Sequence, residues 1–160
     1  MNPTLSHPEL PPISFLQELP EEDRLLLSGY GEFLPVATNK NVIIEGARQD
    51  SLYLVLSGLL HVTREKNGVR TLLWRVTPGE TIGEVNLFDP AAASADVIAQ
   101  EFTQVWKVSR EDLELFIKNY PAAGAQLMIA VSGLLSRRLR AMNGRFATLQ
   151  DALAGNHTWH

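Results

Sequence analysis

The 160-residue sequence contains no cysteine, which excludes disulfide scaffolds, thiolate zinc sites, iron–sulfur clusters and cysteine nucleophiles together. It also lacks any apolar run near the ~20 residues that a membrane-spanning helix needs. The first residues, MNPTL, have neither the basic start nor the apolar centre of a signal peptide. We therefore expect a cytoplasmic protein that does not associate with membranes.

Positive charge is scarce as well, with 14 Lys and Arg residues against 18 Asp and Glu residues. Affinity for duplex DNA depends largely on neutralising phosphates, so the net charge of −4 disfavours a DNA-binding protein. The stretch of sequence after Leu153 is also too short to contain a DNA-recognition helix. We expect no direct DNA binding.

The composition is that of a globular domain, with 45% hydrophobic and 20% charged residues. Five of the nine prolines fall within residues 1–20. This enrichment predicts an N-terminal arm over residues 1–19, with one short turn around residues 14–19. The length favours one domain after this arm.

Residues 33–109 alternate short β-rich runs with turn residues. The Asn67-Gly68 pair favours a tight hairpin turn, because both residue types tolerate a positive φ. Short strands without a long helix between them predict an antiparallel barrel or sandwich. We expect Trp74 and Trp106, which lie on predicted strands, to be part of the core.

The pattern becomes helical after Ser109, a good N-cap residue. A long helix is predicted over residues 122–153, followed by a tail over 154–160. One apolar row on this helix has the 4-3 spacing of a coiled-coil seam, interrupted only by Ser132. The predicted dimer seam comprises Met128, Leu135, Leu139, Met142, Phe146, Leu149 and Leu153.

A second apolar row on the long helix consists of Leu127, Val131 and Leu134. A helix that is apolar on two faces must bury both of them. About 30 helical residues extend ~45 Å, which exceeds a domain of this size. We therefore predict a homodimer formed through this helix rather than a monomer that covers both rows.

Four stretches, in this order, resemble the cyclic-nucleotide-binding domain of the catabolite activator protein family. They are residues 41–46 (NVIIEG), 51–58 (SLYLVLSG), 78–88 (PGETIGEVNLF) and 137–139 (RRL). The resemblance covers residues 15–149. It implies a mainly β fold, a double-stranded β-helix or jelly-roll-like β-roll with flanking helices, within a domain over 20–153 that includes the long helix.

The resemblance also implies a nucleotide pocket. In the family, the residue at Glu84 accepts a hydrogen bond from the ribose 2′-hydroxyl, and the Ser94 hydroxyl and Ala95 N–H lie beside the phosphate. At the position where the family has the arginine that pairs with the phosphate, this sequence has Ala93. The candidate nucleotide-binding residues are Gly83, Glu84, Val85, Ser94, Ala95, Arg138 and Asn143.

The missing phosphate arginine is not replaced nearby, because no Lys or Arg lies between Val76 and Trp106, whereas five acidic residues do. A hydrogen bond to an ionised group contributes about 1.5–3 kcal/mol, so its loss implies ~10–100-fold weaker binding. Arg138 matches a basic residue that lies near the conserved glutamate in the family. Three roles stay open for Arg138: it neutralises Glu84, it reaches a ligand phosphate, or it belongs to a solvated face of the helix.

The remaining residues of the long helix near the pocket have simpler interpretations. Met142 aligns with a base-contacting hydroxyl position of the family and is interpreted as seam packing, whereas Asn143 beside it is within reach of a base. The other basic residues of the helix are interpreted as a solvated face: Arg137, Arg140 and Arg145.

Catalytic and metal-binding constellations are not found. His61 has no partner at metal-ligand spacing, and Ser94 has no neighbouring histidine. We predict a protein that is not an enzyme, with no catalytic residues and no metal.

Three functions remain open. The first is a degenerate module of this family that binds cAMP or cGMP weakly or not at all and acts in signalling with an unidentified protein partner. The second is a working cAMP or cGMP receptor that uses main-chain amides with Glu84, Ser94 and Arg138. The third is the sensor half of a DNA-binding regulator. The missing arginine favours the first, and the short stretch after Leu153 disfavours the third.

Overall fold

The computed structural model describes residues 9–155, in which short strands precede two C-terminal helices. The strands are β1 (Glu32–Val36), β2 (Asn41–Ile43), β3 (Arg48–Gln49), β4 (Ser51–Ser57), β5 (Leu60–Lys66), β6 (Val69–Val76), β7 (Thr81–Ile82), β8 (Ala91–Ala92), β9 (Asp96–Ala99) and β10 (Thr103–Ser109). The helices are α1 (Glu21–Ser28), α2 (Glu84–Phe88), α3 (Arg110–Asn119) and α4 (Pro121–Gly155), preceded by a 3-10 turn at Ser14–Glu18.

Two four-stranded antiparallel sheets form the β-roll, with strand orders β1-β10-β4-β7 and β2-β9-β5-β6. The short pair β3-β8 lies apart from them. The predicted hairpin is confirmed, since Lys66 pairs with Val69 and the two turn residues have positive φ, 55° at Asn67 and 75° at Gly68. The mainly β, jelly-roll-like fold with a long C-terminal helix is therefore confirmed.

The interior has two apolar clusters. One lies between the two sheets and includes Val55 and Leu60. The other joins the first sheet to the helices around Trp106, which is fully buried, and Phe116. The second cluster also takes in Phe15, so the predicted arm contributes to the core, although its boundary at residue 19 stays a prediction.

The prediction for Trp74 is wrong, because its side chain is 42% exposed. It lies on β6, which is an edge strand that pairs only with β5. An edge strand has no neighbour on one side, so a large side chain there is covered less completely. Trp106, on the inner strand β10, has no such gap.

Two local signals place α3 and α4. Ser109 caps α3 by accepting a hydrogen bond from the N–H of Asp112, at 3.1 Å. The helix α4 has 35 residues and extends beyond the predicted range by one residue at its start and two at its end. Most of the predicted tail lies outside the described residues. Between residues 9 and 155, none of the helices has the run of apolar side chains that a transmembrane segment requires.

The two apolar rows of α4 have different surroundings. In the second row, Leu127 and Val131 are buried in the core and Leu134 packs against it. In the predicted seam, Met128 and Leu135 also pack against the core. The rest of the seam is more than half exposed in this single chain: Leu139, Met142, Phe146, Leu149 and Leu153.

Candidate functional site

A cavity of about 440 Å³ lies between the second sheet, the helix α2 and the distal part of α4. Its volume falls within the ~300–1,000 Å³ typical of small-molecule sites. Five of the predicted pocket residues line it: Gly83, Glu84, Ser94, Ala95 and Arg138. The sequence therefore brings together most of the residues for which the family resemblance implied a common pocket.

The turn into α2 depends on Gly83, which has a φ of 83°. A Cβ atom at this position would overlap the carbonyl oxygen of Ser51 and lie 3.1 Å from the Nε2 of Gln49. Both the backbone conformation and the lack of space therefore require glycine here. This is a structural reason, so the contribution of Gly83 to a ligand stays a prediction.

Glu84, the first residue of α2, is only 6% exposed and forms an ion pair with Arg138 on α4 through its Oε1. Arg138 also donates from its Nη2 to the carbonyl oxygen of Thr81, at 2.6 Å, and to the Thr81 hydroxyl, at 3.0 Å. This ion pair connects α2 to α4. Of the three roles predicted for Arg138, the geometry has it neutralising Glu84.

The electrostatic setting of Arg138 reflects its partial burial. Burial lowers the pKa of the Arg138 guanidinium, and the negative charge of Glu80 opposes part of this shift. The second carboxylate oxygen of Glu84, Oε2, is buried and has no hydrogen-bond partner within residues 9–155. A buried acceptor without a partner is unfavourable by about 1–3 kcal/mol.

The segment that carries the phosphate arginine in the family has only small side chains here. Ala93 and Ala95 are buried in the cavity wall, and Ser94 between them is exposed. The Ala93 backbone pairs in both directions, with Gly46 and Ala47, at 2.8 Å each. The segment is therefore held in place without contributing a positive charge to the cavity.

Arg145 is a cavity residue that sequence reasoning missed. Its guanidinium lies over the ring of Trp74, 4.7 Å from the ring centroid, and both residues line the cavity. Arg137, Arg140 and Arg145 are all exposed, as expected for a solvated face, and Arg145 in addition contacts Trp74 at the cavity wall. The available signal was helical spacing, because a residue seven positions after Arg138 lies on the same face of α4.

Two predicted residues, Val85 and Asn143, do not line the cavity. Val85 is 66% exposed, because it follows Glu84 on α2 and successive residues of a helix point about 100° apart. The same rotation moves Asn143 away from the face of α4 that carries Met142. Other residues missed from the sequence line the cavity instead: Gln49, Asn86 and Ala141.

A family model described as the cyclic nucleotide-binding domain matches residues 34–120, more than half of the sequence. The cyclic AMP receptor protein of Thermus thermophilus is 34% identical over 122 residues, which cover 76% of this chain and 54% of that protein. A CRP-like cAMP-activated global transcriptional regulator of Mycobacterium tuberculosis is 33% identical over 111 residues, which cover 68% and 47%. The chain thus spans about half the length of the curated relatives it matches.

Solved structures agree with these matches. The catabolite activator protein of Thermus thermophilus is 28% identical with a TM-score of 0.74, and the match covers 86% of this chain and 63% of that one. A cyclic nucleotide-binding domain from Methylobacillus flagellatus is 26% identical with a TM-score of 0.74, and the match covers 81% and 74%. The family model, the sequence relatives and the fold together show that the chain belongs to the cyclic nucleotide-binding domain family.

Proposed function

We propose that the chain is a non-catalytic, homodimeric regulatory module whose pocket binds cAMP or cGMP weakly or not at all. The observation that carries this proposal is the ion pair between Glu84 and Arg138 in a cavity wall where Ala93 replaces the phosphate arginine. The role of the module is then signalling through a protein partner.

The cation nearest to Glu84 is already in use. Arg138 neutralises the Glu84 carboxylate and donates two hydrogen bonds to oxygens of Thr81. A cyclic phosphate that recruits Arg138 would have to compete with a buried carboxylate, whose loss of partner is itself unfavourable. Among residues 9–155, the cavity lining therefore has no further cation beside Glu84 that is free to pair with a phosphate.

The second cation of the cavity lies elsewhere. Arg145 is two helical turns beyond Arg138, about 10 Å along α4, and it stacks on Trp74. To pair with a phosphate bound near Ser94, as the family resemblance implies, Arg145 would have to give up its contact with Trp74. These arguments support a loss of phosphate affinity of about 10–100-fold relative to a pocket that has the arginine.

The dimer proposal rests on the exposed part of the seam. Its distal apolar residues follow a strict 3-4 spacing and are more than half exposed in the single chain. A second copy of α4 has the same row, so pairing two helices covers both rows at once. The helix is long enough for this, because its 35 residues extend about 52 Å.

Titration calorimetry with cAMP and cGMP at low salt tests the proposed pocket. We expect no binding at micromolar ligand for the natural sequence, and a gain of at least tenfold in cAMP affinity for Ala93→Arg. The matched control is Ala92→Arg, which adds the same charge at an exposed neighbouring position outside the cavity wall. Micromolar or tighter cAMP binding by the natural sequence would overturn the proposal.

The same titration addresses a second candidate, a working cAMP or cGMP receptor. The observation in its favour is the cavity itself, which has the volume of a ligand site and is lined by Ser94 and two arginines. This function predicts micromolar affinity without any substitution, and Ala93→Arg would then add little.

A further inference from the structure

The two arginines that line the cavity differ in what neutralises their charge. Arg138 pairs with Glu84 and donates to oxygens of Thr81, so its charge is compensated. Arg145 lies over the ring of Trp74, and no oxygen atom of residues 9–155 accepts a hydrogen bond from it or forms an ion pair with it. The cavity lining therefore includes one cation without a counter-ion among the described residues.

The contact with Trp74 leaves the hydrogen-bonding capacity of Arg145 unused. The guanidinium carbon lies 4.7 Å from the centroid of the Trp74 ring. A guanidinium stacks on an aromatic ring through its face, whereas its N–H donors lie in its plane and form a fork that matches the two oxygens of a carboxylate. An anion beside Arg145 can thus accept from these donors while the contact with Trp74 is kept.

The charges around the cavity favour a ligand with a single negative charge at this end. Among the described residues, two positive side chains and one negative side chain line the cavity, which leaves one unit of positive charge: Arg138, Arg145 and Glu84. The negative charge of Glu80 also acts on Arg138. An anion beside Arg138 would therefore face two carboxylates, whereas an anion beside Arg145 meets an uncompensated cation.

Most of the other side chains in the lining are apolar. Ile43, Val62, Ile82 and Val97 provide aliphatic surface, and Met142 adds a flexible thioether. Ligand pockets characteristically combine apolar walls with a few polar groups that fix the orientation of the ligand. These walls suit an apolar ligand body, and the unpaired cation suits an acidic group attached to that body.

We propose that the cavity binds a monocarboxylate with an apolar body, whose carboxylate pairs with Arg145 while the body lies against the aliphatic walls. The inference rests on the proposed function, in which the pocket has lost its affinity for a cyclic phosphate, and it names the class of ligand that the same cavity accepts. The ligand charge then lies about 10 Å along α4 from Arg138, away from the Glu84 carboxylate.

Two pairs of probes test the requirement for a carboxylate: 2-naphthoate against 2-naphthamide, and hexanoate against hexanamide. Within each pair the apolar body is the same, and the amide lacks the negative charge. Calorimetry on the full chain is expected to show at least one carboxylate binding at millimolar concentration or below, and ~10-fold more tightly than its amide. The factor is at the lower end of the range for a charged hydrogen bond, because Arg145 is exposed.

Substitutions on α4 test the assigned contact. Arg145→Gln removes the charge and is expected to abolish the preference for the carboxylate over the amide. The matched control Arg140→Gln makes the same change at an exposed position that does not line the cavity, and it is expected to leave the preference unchanged. A carboxylate preference that survives Arg145→Gln would overturn the inference.

A third variant tests whether the ligand body occupies the cavity. Val62→Phe reduces the cavity volume at a position away from both arginines in the sequence, and it is expected to weaken binding of carboxylates and amides alike at least tenfold. Circular dichroism checks that the variant is folded. Undiminished binding of the carboxylates by a folded Val62→Phe variant would place them outside the cavity and would also overturn the inference.

Titration of cAMP beside these probes separates the inference from the proposed function. If cAMP does not bind and the carboxylates either do not bind at millimolar concentration or bind no better than their amides, the carboxylate inference is wrong and the proposed function stands. If cAMP binds at micromolar concentration, the proposed function is wrong, and so is the inference that rests on it. A carboxylate preference that is lost in Arg145→Gln, without micromolar cAMP binding, supports both.

Discussion

The two halves of α4 share one type of apolar spacing but differ in what surrounds them. In the first half, Leu127 and Val131 are buried against the β-roll. In the second half, Leu149 and Leu153 have the same helical spacing and are largely exposed. Apolar periodicity therefore indicates which face of a helix requires cover, whereas the size of the β-roll decides how much cover one chain supplies.

Arg138 marks the transition between the two halves. Leu135, one turn earlier, still packs against the core, whereas Leu139, the next residue, is exposed. Between these two environments, Arg138 binds Glu84 and Thr81 and so connects α4 to α2 and β7. The comparison of the halves can be tested by substitutions on each side of this residue.

The largest expected effect is on folding, at Leu127. Leu127→Ala leaves a cavity in a closed core and is expected to lower the free energy of unfolding by about 3 kcal/mol. The matched change Leu149→Ala is expected to lower it by less than about 0.5 kcal/mol in dilute protein, because that side chain is exposed in the single chain. Urea unfolding at several protein concentrations measures both, and equal losses in dilute protein would contradict the comparison.

The next effect concerns self-association, at Phe146. Phe146→Asp places a charge in the exposed row and is expected to weaken dimerisation at least 100-fold, equivalent to about 2.7 kcal/mol. Ala147→Asp adds the same charge at the adjacent position outside the seam and is expected to leave the dimer intact. Sedimentation equilibrium gives the masses, and a natural chain that is monomeric at 100 μM protein would rule out the dimer.

A smaller effect is expected where the two halves meet. Arg138→Ala leaves the Glu84 carboxylate buried without its cation and is expected to destabilise the chain by roughly 2 kcal/mol, since Arg138 is itself partly exposed. The double variant Arg138→Ala/Glu84→Ala leaves neither charge of the ion pair behind. It is therefore expected to recover part of the stability that Arg138→Ala loses. A double variant as unstable as the sum of the two single variants would show that the pair is not coupled.

The smallest effects compare two glycines of α4. A Cβ atom at Gly144 meets nothing within 4 Å, so Gly144→Ala is expected to stabilise the chain by about 0.5–1 kcal/mol through helix propensity. At Gly124 a Cβ atom would lie 2.9 Å from the Cα of Ile117, so Gly124→Ala is expected to destabilise it. Thermal unfolding measures both signs, and a stabilising Gly124→Ala would contradict the close packing of the first half.

The parts of the fold that depend on local signals could be predicted from the sequence. Asn67-Gly68 determines its hairpin through backbone conformation, and Ser109 caps α3 through its own hydroxyl. Trp74 could not be placed in the same way, because its exposure depends on β6 being an edge strand, and strand order is a long-range property. The exposed half of α4 was visible only as a pattern that required a partner.

In the candidate site, too, local sequence signals could be predicted and contacts between distant residues could not. The family resemblance led to Glu84, within the matching stretch 78–88, and to Ala93, five residues after its end. Arg138 was identified from the long helix, but the choice among its three roles required the three-dimensional contact with Glu84. Arg145 was missed because its significance depends on Trp74, which is about 70 residues away in the chain. Val85 does not line the cavity, because adjacency in sequence does not give a shared side-chain direction on a helix.

The side chain of Met142 belongs both to the cavity wall and to the exposed apolar row of α4. In the proposed dimer, one flexible thioether therefore takes part in two equilibria. A ligand in the cavity that shifts this side chain would change the packing of the paired helices and so the dimerisation constant. By thermodynamic reciprocity, dimerisation would then change the affinity for the ligand by the same factor. Substituting Met142 by a stiffer residue would then weaken the communication between the two processes before it abolished either one.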